Sequence, residues 1–332
     1  MLSLVILALG IALLVVGGEW LVRGAVALSE KLGVPPLVVG LTVVAFGTST
    51  PELVVNLLAA WRGNTGVGFG NVVGSNIANI GLLLGVTALY RILTVHQAVI
   101  VREIPMMMLS TLAMLVLALD RLLTGAAGDR FDRGDGLVLL LLFAVFLYYL
   151  LGEALRTRTA SGRAGAADTP EPAADTAERN TDGRWGRSVL LVAGGLLLLI
   201  LGGHFTVTGA TDLARSAGVP EVVVALTLVA VGTSLPELVT SLIAARRGQT
   251  DIAIANIVGS NIYNLLFVFG LTVTIRPVDL PAGGTADLLV MAGFSLVLLP
   301  MAITGRRLAR PEAALLLSGY AAYVVYLALR GS

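Results

Sequence analysis

One stretch of this sequence occurs twice, 185 residues apart, and both copies lie in apolar runs. Gly33-Val34-Pro35 returns as Gly218-Val219-Pro220. The run Gly-Thr-Ser-x-Pro-Glu-Leu-Val at Gly47–Val54 returns at Gly232–Val239, and Val-Gly-Ser-Asn-Ile at Val73–Ile77 returns at Val258–Ile262. From Gly17 to Gly85 the copies align without a gap and about half the positions are identical. Shared apolar composition would repeat Leu and Val. It would not repeat a Pro-Glu in register with a Ser-Asn, so the chain is an internal duplication.

Ten apolar segments cover the chain, at 3–28, 35–61, 66–90, 97–119, 135–152, 188–212, 220–245, 252–274, 285–304 and 312–329. Each is long enough to cross a hydrocarbon core of about 30 Å. Hydrophobic residues make up 56% of the chain and charged residues 13%, against about 45–50% and about 25% in soluble proteins. That balance excludes a soluble enzyme and a disordered chain. Long rather than alternating apolar runs exclude an outer-membrane barrel. The expected fold is an all-α membrane protein of about ten transmembrane helices. The first segment, lacking a basic lead and a small-residue cleavage site, reads as a mature span.

Between the fifth and sixth segments lies a polar stretch from Glu153 to Arg187 with Pro170 and Pro172, which reads as a disordered linker. The domain plan is then a first five-helix repeat over 1–152, the linker over 153–187, and a second five-helix repeat over 188–332. Five spans is an odd number, so the second copy must enter the membrane from the opposite side. Two inverted repeats are the plan of secondary transporters, with the site at the midplane between them.

Orientation follows from basic residues. One face carries Lys31, Arg91, Arg246, Arg247, Arg306, Arg307, Arg310 and the linker arginines, and the other carries Arg62, Arg121, Arg130, Arg133, Arg215, Arg276 and Arg330. The linker is expected to be cytoplasmic and both termini external. Net charge is +1, which suggests no nucleic-acid partner, and no protein partner is inferable. With no cysteine, disulfides and thiol sites are excluded. The compact size and the lack of an organelle signal point to a prokaryotic inner membrane.

Glu52 and Glu237 sit inside otherwise apolar spans. A carboxylate there costs about 2.5–3.5 kcal/mol on insertion scales and marks an ion path. Each follows a proline, Pro51 or Pro236. A proline strips a helical partner from the carbonyl four residues earlier, that of Gly47 or Gly232, and such carbonyls can serve as ligands where they line a cavity. Thr48 and Ser49 precede Glu52 by four and three residues, which sets all three on one side of a helix. Thr233, Ser234 and Glu237 repeat this. In the following span Ser75 and Asn79 form an i, i+4 pair, repeated by Ser260 and Asn264. These are hard oxygen donors, suited to Ca2+ and Na+ rather than to Zn2+ or Cu, which favour His or Cys. Two glutamates match one Ca2+ or two Na+, the physical basis for exchange.

These duplicated motifs, Gly-Thr-Ser-x-Pro-Glu and Gly-Ser-Asn-Ile-x-Asn, resemble the α-repeats of the sodium/calcium exchanger branch of the cation/calcium antiporter superfamily, prokaryotic type. The likeness is strongest over Gly17–Gly85 and Gly202–Gly270. It implies an ion cluster of the Ala45 carbonyl, Thr48, Ser49, Glu52, Ser75 and Asn79, with the Ala230 carbonyl, Thr233, Ser234, Glu237, Ser260 and Asn264 from the second half. It implies alternating access with the first and sixth helices sliding over a fixed core. The implied cargo is Ca2+ and Na+, with no cofactor. Many family members carry an aspartate at one of the positions held here by Asn79 and Asn264. Amides at both leave the coupling ion and stoichiometry open.

The leading reading is an antiporter exchanging Ca2+ for Na+ across the lipid bilayer. The alternative is Ca2+/H+ exchange with Glu52 and Glu237 as proton carriers. A passive channel would not need an inverted duplication. An intramembrane hydrolase using Ser49 or Ser234 would need a base in reach, and neither His96 nor His204 repeats with the serines. The expectation is therefore a transporter and not an enzyme. His96 is expected at a membrane interface. His204, aligned with Glu19, is expected to pack.

Overall fold

The structure is a computed structural model, and it describes residues 2–125, 128–165, 181–216 and 232–331. The first half runs α1 (Leu2–Leu32), α2 (Pro36–Thr48), α3 (Thr50–Arg62), α4 (Thr65–Tyr90), β1 (Leu93–Thr94), α5 (Val99–Leu117), α6 (Asp120–Thr124), β2 (Arg130–Phe131) and α7 (Arg133–Gly165). The second half runs α8 (Thr181–Ser216), α9 (Leu235–Arg246), α10 (Thr250–Ile275), β3 (Val278–Asp279), α11 (Gly284–Ile303), β4 (Arg307–Leu308) and α12 (Arg310–Gly331). Among the described residues eight helices are long and apolar enough to cross a membrane, and the bent pair α2–α3 makes a ninth. The expected segment 220–245 lies outside the described residues up to position 231, and α9 supplies its end.

Helix reaches further into the polar stretch than expected. α7 continues to Gly165 and α8 already begins at Thr181, so helix extends into both ends of the stretch 153–187. Arg and Ala, frequent after Glu153, are good helix formers, and a helix leaving the membrane needs no apolar face. Residues 166–180 lie outside the described residues.

The halves are interlocked by crossed pairs. β1 pairs antiparallel with β4, and β2 with β3. β1 and β3 are repeat mates, 185 residues apart, so each half clasps the other through equivalent strands. α12 packs on α4, and α7 on α10 in the same crossed sense, while α5 packs on α11. α4 and α10 form the buried centre, with Phe69, Ile77, Leu83, Ile257, Leu265 and Phe269 shielded from solvent.

α1 and α8 lie antiparallel against each other along a glycine seam. Gly10, Gly17 and Gly24 in α1 and Gly195, Gly202 and Gly209 in α8 recur every seven residues, and the two sets are repeat mates. A Cβ added at Gly10 would lie 2.5 Å from the Thr206 nitrogen, at Gly17 2.8 Å from the Leu199 nitrogen, and at Gly24 2.9 Å from the Val192 nitrogen. The seam brings backbone to backbone, as small residues permit in membrane helices.

Candidate ion site

The first Pro-Glu motif sits where its helix breaks, and the second at the start of α9. α2 and α3 meet at 44°, and Ser49 at the junction has φ −82 and ψ 6. Ser234, its mate, has φ −88 and ψ 5 at the start of α9. The break falls two residues before each proline. The proline ring restricts the residue before it and the carbonyl four back, so the last regular turn ends there. The Ala45 carbonyl accepts the Ser49 N–H at 3.0 Å and the Thr48 hydroxyl at 3.4 Å.

Each half then reaches into the other. Ser49 Oγ donates to Glu237 Oε1 at 3.1 Å, and Ser234 Oγ donates to Glu52 Oε1 at 3.4 Å. Both glutamates are fully shielded from solvent. In each, Oε2 has no hydrogen-bond partner among the described residues. Neither has a basic partner among the described residues, so a structural ion pair does not account for them. A buried, unpaired charge of this kind is costly unless a cation shares the site.

Ser75, Asn79, Ser260 and Asn264 are buried on α4 and α10, which pack on α3 and α9. Among the described residues, Ser75 Oγ, Ser260 Oγ, Asn79 Oδ1 and both amide atoms of Asn264 have no hydrogen-bond partner. Asn79 opens a π-helical turn, Asn79–Leu84, and Asn264 lies in another, Tyr263–Phe269. Such turns relax the backbone ladder and occur often at functional sites. Thr48 is buried, while Thr233 is half-buried. Ala230 lies outside the described residues.

The structure adds residues that the motif reading passed over. Thr48 Oγ1 donates to Asn256 Oδ1 at 3.0 Å, and Thr233 Oγ1 to Asn71 Oδ1 at 3.5 Å. Asn71 and Asn256 are themselves repeat mates, one helical turn before Ser75 and Ser260. That recurrence was the signal available in the sequence. Asn256 Nδ2 also donates to the Glu237 carbonyl at 3.2 Å and to Ser241 Oγ at 3.0 Å. Asn79 Nδ2 donates to Asn261 Oδ1 at 3.0 Å.

A cavity of about 370 Å³ leads up to the motifs from one side. Its walls include Thr50, Pro51 and Val54, then Gly203, His204 and Val207, with Thr233 at its base. His204 is exposed there, which corrects the expectation that it packs. His96 is exposed near the start of α5 and pairs with Asp251 at 3.3 Å.

The repeat-related side is closed. Gly18 is the mate of Gly203, and a Cβ there would meet Ile243 Cδ1 at 2.7 Å and Val239 Cγ1 at 3.3 Å. At Gly203 the nearest atom among the described residues would be Pro236 Cδ at 3.7 Å. Glu19, the mate of His204, is paired with Arg247 of the adjoining α9 segment and with Arg23.

Among the described residues no three His, Cys, Asp or Glu side chains cluster for a metal. The donor set is instead two carboxylates among hydroxyl and amide oxygens, as hard cations prefer.

Residues 2–152 and 187–329 match the family described as Sodium/calcium exchanger protein. The chain is 36% identical to the putative antiporter CaxA of Alkalimonas amylolytica over 95% of each protein. It is 31% identical to the sodium/calcium exchanger MaX1 of Methanosarcina acetivorans over 98% of each. Its fold matches the solved structure of the sodium-calcium exchanger NCX_Mj, soaked with zero Na+ and Ca2+, at a TM-score of 0.81 and 28% identity, covering 98% of this chain and 99% of that one. With matches that span nearly its whole length, this chain is an integral membrane protein belonging to the sodium/calcium exchanger family of cation/calcium antiporters.

Proposed function

We propose that the chain exchanges Ca2+ for Na+ by alternating access at the shared Glu52–Glu237 site. The observation that carries this reading is the reciprocal pair Ser49–Glu237 and Ser234–Glu52. It joins equivalent motifs of opposite halves and leaves one unpartnered oxygen on each carboxylate. Thr48, Ser49, Ser75 and Asn79, with Thr233, Ser234, Ser260 and Asn264, complete the oxygen set, and the Ala45 and Ala230 carbonyls join it. Charge balance holds with one Ca2+ or two Na+, and the neutral donors favour a metal cation over a proton.

The asymmetry at Gly203 and Gly18 supports an access-open state on one side only. Exchange then needs the α1–α8 pair to shift so that the Gly18 side opens while the Gly203 side closes. The linker face is cytoplasmic in this reading, and the membrane is a prokaryotic inner membrane, with both termini external.

The test is uptake of radiolabelled Ca2+ into proteoliposomes loaded with Na+, with a matched pH gradient and a Glu52→Gln plus Glu237→Gln variant alongside. The expected result is uptake that needs the Na+ gradient and is lost in the variant. Uptake driven by the pH gradient alone would replace the sodium reading with Ca2+/H+ exchange.

A further inference from the structure

The α1–α8 seam does not end alike at its two faces. The seven-residue glycine spacing continues to Ser188 and Lys31 at the linker-side end, and to Ser3 and Ser216 at the other. Lys31 Nζ donates to Ser188 Oγ at 2.7 Å and lies 5.8 Å from the centre of the Trp185 ring. A cavity of about 500 Å³ opens beside them, walled by Arg23, Glu30, Lys31, Trp185, Arg187 and Ser188. Among the described residues its charged walls are Arg23, Lys31, Arg187 and Glu30, and Arg23 also pairs with Glu19. The repeat mates of Arg23, Lys31 and Arg187 are Thr208, Ser216 and Leu2. The duplication therefore built the seam twice but set these three cations only at this end.

We propose that this pocket binds the phosphate headgroup of an anionic phospholipid, bridging the ends of α1 and α8. A phosphate monoanion or diester matches the charge and accepts from ammonium and guanidinium donors together. A general bias of cations toward one face sets the sign of the charge. It does not require a concave site in which a serine and a tryptophan hold the lysine amine. The occupant is a lipid rather than free phosphate because exposed apolar side chains run from the pocket toward the membrane interior, among them Trp20, Leu190 and Leu197. Trp185 is placed as interfacial tryptophans are, ring against the headgroup layer. Basic pockets between spans are the usual seat of anionic headgroups. The same two helices line the Gly203 cavity and the Gly18 closure, so an occupied pocket ties their ends together.

The full chain in phosphatidylcholine nanodiscs doped with phosphatidylglycerol provides the test, read by native mass spectrometry as bound lipid against lipid fraction. The expected result is phosphatidylglycerol bound in preference to phosphatidylcholine, with affinity lower by about 100-fold in Arg23→Gln/Lys31→Gln/Arg187→Gln and by about fivefold in Lys31→Gln alone. Lys31→Arg restores binding, and Arg62→Gln/Arg133→Gln, on the opposite face, leaves it unchanged. Equal binding in wild type, Lys31→Gln and Arg23→Gln/Lys31→Gln/Arg187→Gln overturns the proposal, as does displacement of the lipid by inorganic phosphate at matched concentration. The readout is independent of transport, so its failure and a failure of the exchange reading are separate results.

Discussion

At the scale of single residues, the site is organised by amides as much as by carboxylates. Asn256 accepts from Thr48 and donates to the Glu237 backbone and to Ser241. It therefore holds a hydroxyl of one half and the glutamate of the other in one frame. Each such hydrogen bond contributes about 1 kcal/mol net. Asn256→Ala should raise the KM for Ca2+ roughly tenfold in proteoliposome uptake, with the protein still folded and the capacity retained. Asn79 and Asn264 are equivalent in sequence but not in structure. Asn79 donates to Asn261, whereas both amide atoms of Asn264 lack partners among the described residues. Asn264→Asp should be tolerated and should add one negative charge to the site. Measured reversal potentials should then shift toward one more cation carried per cycle. Asn79→Asp sets a carboxylate against the Asn261 oxygen and should lower thermal stability by about 1–3 kcal/mol. The motif glutamates, serines and threonines were legible in the sequence because a polar residue in an apolar span must have a reason. Asn71 and Asn256 were legible only as recurrences, since an asparagine near a span end carries no such surprise.

At the scale of elements, two devices shape the molecule. The first is the Pro-Glu break, where a proline placed one residue before each glutamate turns the helix at Ser49 and opens α9 after Ser234. The position of the break followed from the prolines, while its 44° angle depends on what the two arms pack against. The second is the α1–α8 seam. Glycines seven residues apart could be read from the sequence, but not which helix they met. Their backbone contacts leave no room for a side chain, so Gly17→Val should destabilise the protein by about 1–3 kcal/mol through overpacking. Gly293→Ala, with no atom within 4 Å of the added carbon, should be neutral. Thermal unfolding in detergent followed by size-exclusion chromatography separates the two outcomes. The chain ends α3 and α9 alike, with Gly63 at φ +79 and Gly248 at φ +80. That left-handed turn, which favours glycine, sends the chain straight back as α4 or α10.

At the scale of the whole molecule, the native chain contains no cysteine, so single introduced cysteines report cleanly on access. Val54 and His204 line the open cavity, while Val239, the mate of Val54, packs on the Gly18 position. A membrane-impermeant maleimide should label His204→Cys and Val54→Cys from the face opposite the linker. Val239→Cys should label at least tenfold more slowly from either face, since a group packed in this way reacts only when the contact opens. Equal labelling of both mates would remove the one-sided state. The sequence by itself determined the membrane class, the duplication and the inversion. Apolar length sets how many times a chain can cross, and an odd number of spans in each copy forces opposite entry. It also fixed the chemical type of the donors. Only the tertiary structure decided that Ser49 serves Glu237 and Ser234 serves Glu52, because partners 182 and 188 residues apart are chosen by how one half packs on the other. It alone decided which side of the site is open. A repeat written twice in the same letters is symmetric, and the choice between its two sides lies in packing, here Ile243 against Gly18 on one side and, among the described residues, nothing closer than 3.7 Å to a Cβ at Gly203 on the other.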